Sequence, residues 1–210
     1  MFREVLRKVC TNELHHEVVG EAGDGRRAVE LAAELTPDLV LLDLHLPGLD
    51  GFGVLAEIRK QAPQLRVLVL SSHCDEYTVF QAERAHVNGF VDKNTNTVAT
   101  LKQAIESVGA GRVWFSDTFL RVKSARHRDP NSFDKVLSDR ERAVLALLGE
   151  PMNDAEVADR LRIAPETVEK HRFNILRKLD LGTTTELVRY AREHGFTLAA
   201  RRSASDSILP

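Results

Sequence analysis

The chain has 210 residues, 43% hydrophobic and 29% charged, with a net charge of −2; this is the composition of an ordinary globular protein with room for one large or two small domains. No apolar run approaches the roughly 20 residues needed to cross a bilayer, and the opening MFREVLRKVC has a helical pattern, not that of a signal peptide. A membrane protein is therefore not expected, and the cytoplasm is the expected compartment.

Only two cysteines occur, Cys10 and Cys74, far apart and without metal-ligand spacing, so both read as packing residues. The near-zero charge hides an asymmetry. Residues 1–120 carry 12 basic and 17 acidic side chains, net −5, and residues 121–210 carry 17 and 14, net +3. An acidic first half and a mildly basic second fit a control domain joined to a nucleic-acid reader.

Phe2, Val5, Leu6 and Val9 repeat at helical spacing, so the chain opens on a helix. EVVGEA (17–22) reads as a short strand, and Ala28, Leu31, Ala32 and Leu35 predict a helix that Pro37 helps to close. DLVLLD (38–43) is a near-continuous Leu and Val run, which predicts a strand buried on both faces of a parallel sheet. Helix 51–62, strand 66–71, helix 75–86, strand 89–92 and helix 96–108 follow, and this alternation predicts a doubly wound α/β domain. The polar run 121–135, with Pro130, reads as an interdomain linker, and Trp114 and Phe115 as packing residues before it.

In such sheets reactive groups gather in the crevice at the C-terminal ends of the strands. Asp43 ends one strand, Ser71 ends the next, and Lys93 follows the third. Singly, each is ordinary: Asp43 can initiate the turn LHLPGLDG, Ser71 can be a strand-end hydroxyl, and Lys93 a solvated charge. Together, a carboxylate, a hydroxyl and an ammonium suggest acyl-phosphate chemistry, with Asp43 as nucleophile toward a phosphoryl group, Lys93 pairing with the phosphate and Ser71 hydrogen-bonding it. A hydrolase or phosphotransferase is disfavoured, because Leu44 and His45 leave no general acid at Asp-x-Asp spacing.

In the second half, Ser138 with Glu141, Asn153 with Glu156 and Thr183 with Glu186 are capping-box pairs that mark three helix starts, and Gly195 marks a stop. Ala155 to Leu179 reads as two helices and a tight turn: Val157, Ala158 and Leu161 line one, Val168, Ile175, Leu176 and Leu179 the other, and Pro165 fits the first position of the second helix. Ala164 before it offers no capping oxygen. The opposite stripe presents Glu169, Lys170, Phe173 and Arg177. Lys170 can donate to guanine, Glu169 can accept from cytosine N4, and Phe173 can touch a thymine methyl. Core packing is the competing reading for Phe173, and His171 reads as a packing residue.

LVLLDLHLPGLDGFGVL, VLVLSSH and GFVDK resemble the receiver domain of two-component response regulators, and LSDRERAVLALL, VADRLRIAPETVEKHRFNILRKL and TTELVRYA resemble the LuxR-type helix-turn-helix. Over about nine-tenths of its length the chain resembles the NarL/FixJ class of transcription factors. The resemblance implies a flavodoxin-like receiver (1–120), the linker (121–135), an all-α four-helix DNA-binding domain (136–200) and a flexible tail (201–210). It further implies phosphorylation of Asp43 by a sensor histidine kinase, Ser71 as switch hydroxyl, Phe90 as switch aromatic and Lys93 as phosphate partner. It makes Glu169, Lys170 and Phe173 base-facing, and sets Thr167, Arg177 and Lys178 at phosphates of double-stranded DNA. It implies a homodimer through the last helix, where Leu187, Val188 and Ala191 form an apolar stripe, although Val188 equally suits the core. No enzymatic activity of its own is expected.

One departure stands against this agreement. Receivers open on a strand ending in an acidic pair that binds Mg²⁺, and this sequence begins at the helix after it. Asp43 alone is a poor Mg²⁺ ligand set, so the cofactor is expected only if that strand is supplied. Two explanations stay open: Met1 is an internal start of a longer chain, or the receiver is degenerate and the protein regulates DNA binding without phosphorylation. In the second case 17–22 would have to close directly on 38–43, or the domain is compromised.

Overall fold

A computed structural model describes residues 2–95 and 97–196. The chain divides into two compact units, Met1–Cys74 with Gln81–Leu120, and Asp75–Phe80 with Arg121–Pro210.

The first unit is α/β. Helix α1 (Phe2–Lys8) runs into a π-helical turn over Val9–Glu13, and α2 (Gly25–Leu35) precedes β1 (Leu39–Asp43). Then come α3 (Gly51–Gln61), β2 (Arg66–Ser71), α4 (Glu76–Arg84), of which this unit holds the part from Gln81 on, β3 (Gly89–Asp92), α5 (Val98–Gly109) and β4 (Trp114–Phe115). The four strands are parallel in the order β1-β2-β3-β4. Local chemistry sets the helix starts. Asp24, Asp50 and Thr97 each accept a backbone N–H three residues on, satisfying a donor that the first helical turn leaves over. Strand side chains alternate between faces. Leu68, Leu70 and Val91 pack on one side with Val9 and Cys10 of the π turn and Leu101, Ala104, Ile105 and Val108 of α5. Val67, Val69 and Phe90 are the buried alternate residues, and α3 contributes buried Val54, Leu55 and Ile58.

Two sequence expectations fail here for one reason. Residues 17–22 form no strand, and Val19 is 46% exposed. DLVLLD, expected to be buried on both faces, is an edge strand whose Leu39, Val40 and Leu41 are only half-buried. A strand exists by virtue of the ladder beside it, and among the described residues nothing pairs with β1 on the side away from β2. The segment 17–22 therefore does not close on β1. Conversely, Trp114 and Phe115, expected only as packing residues, form β4 and add a short parallel strand beside β3.

The second unit is helical: α7 (Phe133–Val136), α8 (Asp139–Leu148), α9 (Asp154–Leu161), α10 (Pro165–Lys178) and α11 (Thr184–Glu193). Residues 121–135, expected as a linker, are mostly helical, since α6 (Asp117–Arg128) runs through them and α7 follows. The polar composition hid an anchored segment. Phe133 is fully buried in the core with Leu145, Val157, Val168, Ile175 and Leu187. Arg126, also buried, pairs with Asp134, and Ser132 donates to the same carboxyl at 2.5 Å. Burial pushes the Asp134 pKa up, but these two partners outweigh it and hold the carboxyl below its ordinary value. The three capping boxes expected from sequence are present. Gly195, just past α11, takes a left-handed φ of 79° that a side chain would resist. The expected tail, 201–210, lies outside the described residues.

Candidate phosphoacceptor crevice and nucleic-acid interface

Register brings the strand ends together. Asp43 pairs with Leu70 and Ser71 with Asp92, so Asp43, Ser71 and Lys93 emerge at one edge of the sheet. The N–H of Lys93 donates to the Ser71 carbonyl at 2.8 Å, and its Nζ reaches Asp43 Oδ2 at 2.5 Å. Asp43 Oδ1 accepts the N–H of His45 at 2.9 Å. The carboxylate stays reachable, with its side chain 31% exposed, beside a Lys93 side chain 19% exposed. Ser71 is fully buried, and its Oγ accepts the N–H of His73 at 3.0 Å. Phe90 is also fully buried, with its ring centroid 5.0 Å from that of Phe119. The crevice thus holds a half-exposed carboxylate already paired with a cation.

Sequence reading missed two members of this crevice. His45 and His73 each lie two residues past the end of adjacent strands, and their rings meet with centroids 4.6 Å apart. The equal offset was the available signal.

The residues around Asp43 do not fit Mg²⁺. A hard cation wants several oxygen ligands, whereas the groups beside this carboxylate are an ammonium and an imidazole. Among the described residues no three acidic, histidine or cysteine side chains gather to hold a metal ion.

In the helical unit, α10 shows one face to solvent and one to the core. Val168 and Ile175 are fully buried, while Glu169, Lys170, Phe173 and Arg177 are exposed and Thr167 is half-buried. Phe173 is 65% exposed, which rejects the core-packing reading. Two ion pairs fix the helix: Arg172 Nη1 to Asp154 Oδ1 of α9 at 2.6 Å, and Lys178 Nζ to Glu141 Oε2 of α8 at 2.7 Å. Lys178, expected at a phosphate, is therefore committed within the domain here. Ala164 makes no side-chain cap, as its chemistry requires. On α11, Leu187 and Ala191 are fully buried, and only Val188 of the expected outward stripe reaches the surface. The i, i+4 spacing marked an apolar face correctly, but the domain's own core uses it.

Residues 1–106 match the family described as the response regulator receiver domain, and residues 135–191 match the bacterial regulatory proteins of the luxR family. The chain is 35% identical over 179 residues to the Fimbriae Z protein of Salmonella typhimurium, covering 85% of both chains. It is 33% identical over 194 residues to the response regulator protein VraR of Staphylococcus aureus, covering 92% of both. Among solved structures, it resembles RcsB of Salmonella enterica serovar Typhimurium bound to promoter P1flhDC in the presence of a phosphomimetic (TM-score 0.62, 22% identity, 90% of this chain and 91% of that one). It also resembles a LuxR-family two-component response regulator from Aurantimonas sp. SI85-9A1 (TM-score 0.56, 32% identity, 60% of this chain and 90% of that one). With a receiver domain joined to a LuxR-type helix-turn-helix, the chain belongs to the two-component response regulators of the NarL/LuxR type.

Proposed function

We propose that this protein binds double-stranded DNA sequence-specifically through α10, and that phosphorylation of Asp43 by a sensor histidine kinase gates the binding. The observation that carries the DNA reading is the exposed row Glu169, Lys170, Phe173 and Arg177 on a helix clamped by Arg172–Asp154 and Lys178–Glu141. Lys170, Glu169 and Phe173 meet base edges, while Thr167 and Arg177 meet phosphates. Lys178 reaches a phosphate only by leaving Glu141. One small domain makes few base contacts, so a homodimer on a two-fold site supplies the specificity. Its contact through α11 uses Val188 and the polar outer face, because Leu187 and Ala191 are inside. Among the described residues no helix is long and apolar enough to cross a membrane, which is compatible with action in the cytoplasm.

In the gating step an Asp43 oxygen attacks the phosphorus of a phosphohistidine, the P–N bond breaks, and Lys93 turns from the carboxylate to the new phosphoryl oxygens. Ser71 Oγ hydrogen-bonds the phosphoryl group once it forms. The poor fit to Mg²⁺ favours a second reading, in which the same DNA-binding regulator works without phosphorylation. Acetyl phosphate distinguishes the two. Under the first reading it raises affinity for a site chosen from random oligonucleotides, and Asp43→Asn abolishes the response. An unchanged affinity in the unaltered protein selects the second reading, and no preference for any duplex rejects both.

A further inference from the structure

Glu169, Lys170 and Phe173 bring three different chemistries to one small area of α10. Phe173 follows Lys170 by three residues and Glu169 by four, so on a helix its side chain borders both, with about 5–6 Å between Cβ atoms. All three are exposed, Phe173 to 65%. None of their side chains has a hydrogen-bond, ion-pair or ring partner among the described residues. Arg172, three residues after Glu169 and at pairing distance on a helix, is instead held by Asp154 at 2.6 Å. A carboxylate, an ammonium and a phenyl ring therefore stand side by side, uncovered, on the side of the helix away from buried Val168 and Ile175.

Phosphates repel a carboxylate brought against DNA, so Glu169 has to be matched by an amino donor on a base edge. In the major groove that donor is adenine N6 or cytosine N4. N6 stands between two acceptors, the adenine N7 and the thymine O4, which repel a carboxylate from both sides. N4 has an acceptor, guanine O6, on one side only. On its other side lies cytosine C5, the position at which thymine carries its methyl, and a ring beside the carboxylate falls there. On plain cytosine that ring has only a hydrogen to cover. We propose that the three side chains together read a 5-methylcytosine·guanine pair: Glu169 accepts from cytosine N4, Phe173 covers the C5 methyl, and Lys170 donates to guanine O6 and N7. A T·A pair offers the methyl but sets O4 where Glu169 needs a donor, and an unmethylated C·G pair offers the donor without the methyl. The inference rests on the DNA-binding reading above, and not on phosphorylation of Asp43; what it adds is C5-methylated DNA as the ligand.

The whole chain is put through selection from two pools of random duplexes, one with cytosine and one in which 5-methylcytosine replaces it in both strands. A site from the methylated pool is then remade with one base pair changed at a time and measured by fluorescence anisotropy. Returning the contacted cytosine to its unmethylated form is expected to weaken binding about fourfold for each buried methyl lost, and a T·A pair in its place to weaken binding further. Phe173→Ala should bind the methylated and unmethylated forms alike, Phe173→Leu should keep part of the difference, and Glu169→Ala should lose the preference over T·A. Equal affinity for the two forms at every cytosine overturns the proposal, as does a methyl preference that survives Phe173→Ala. A loss on exchanging thymine for deoxyuridine, with no effect of cytosine methylation, overturns it too, since the ring then lies on thymine. No selected duplex from either pool removes the DNA-binding reading itself, whereas selected duplexes without a methyl effect remove only this inference.

Discussion

Lys178 of α10 donates from Nζ to Oε2 of Glu141 in α8 at 2.7 Å, and the Glu141 side chain is only 5% exposed. The same carboxylate accepts the Ser138 N–H at 2.8 Å, so one buried charge closes a capping box and ties two helices together. Removing the cation leaves a desolvated carboxylate. Lys178→Met should cost on the order of 1–3 kcal/mol, read from urea denaturation. A loss no greater than that of an exposed-lysine control such as Lys170→Met would show the pair to be passive.

Acid should weaken the same unit. Burial raises the Glu141 pKa, but the bonds from Lys178 and Ser138 outweigh that and hold it below its ordinary 4.5. A depressed carboxyl contributes stability that is present above its unfolded value and is lost as pH falls through its folded value. The urea midpoint is therefore expected to fall as pH drops below about 4.5 toward the lower folded value. Glu141→Gln should flatten that dependence while lowering stability at neutral pH, with the acid loss that remains coming in part from Asp134.

The row on α10 divides into two roles that salt can separate. Lys170→Ala should lose about 1–3 kcal/mol on a selected site and far less on random DNA. Arg177→Ala should weaken both alike and reduce the slope of log K against log salt by about 1. Lys178→Ala should change that slope less than Arg177→Ala, because its ammonium is held by Glu141. Fluorescence anisotropy across a salt series measures all three.

The start of α10 offers a gain. Ala164 already has the extended backbone of a cap, φ −74° and ψ 146°, but no oxygen to accept the orphan N–H groups. Ala164→Ser should stabilise the helical unit by roughly 1 kcal/mol, seen as a raised Tm.

Gly89 opens β3 in the middle of the sheet, where a Cβ would lie 2.6 Å from Leu68 Cδ1 and 2.7 Å from the Trp114 carbonyl oxygen. A side chain can turn away, whereas the backbone of a paired strand cannot. Gly89→Ala should therefore cost about 1–3 kcal/mol or more and weaken β4 pairing, read as faster amide exchange at Trp114 and Ser116, whose N–H groups donate to Asn88 and Phe90.

Much of this molecule is written locally. Asn153 and Glu156, Thr183 and Glu186, Pro165 and Gly195 fix helix ends through bonds and backbone preferences spanning a few residues, so the sequence alone determined them. Asp43, Ser71 and Lys93 were legible too, because strand ends in a parallel α/β sheet share one edge. What needed the tertiary structure was every statement about a neighbour distant in the chain. β1 is an edge strand and 17–22 is no strand at all, since pairing depends on what lies alongside. Leu187 and Ala191 face inward, Lys178 serves Glu141, and His45 meets His73, because a repeat of side chains specifies a face but not the surface that covers it.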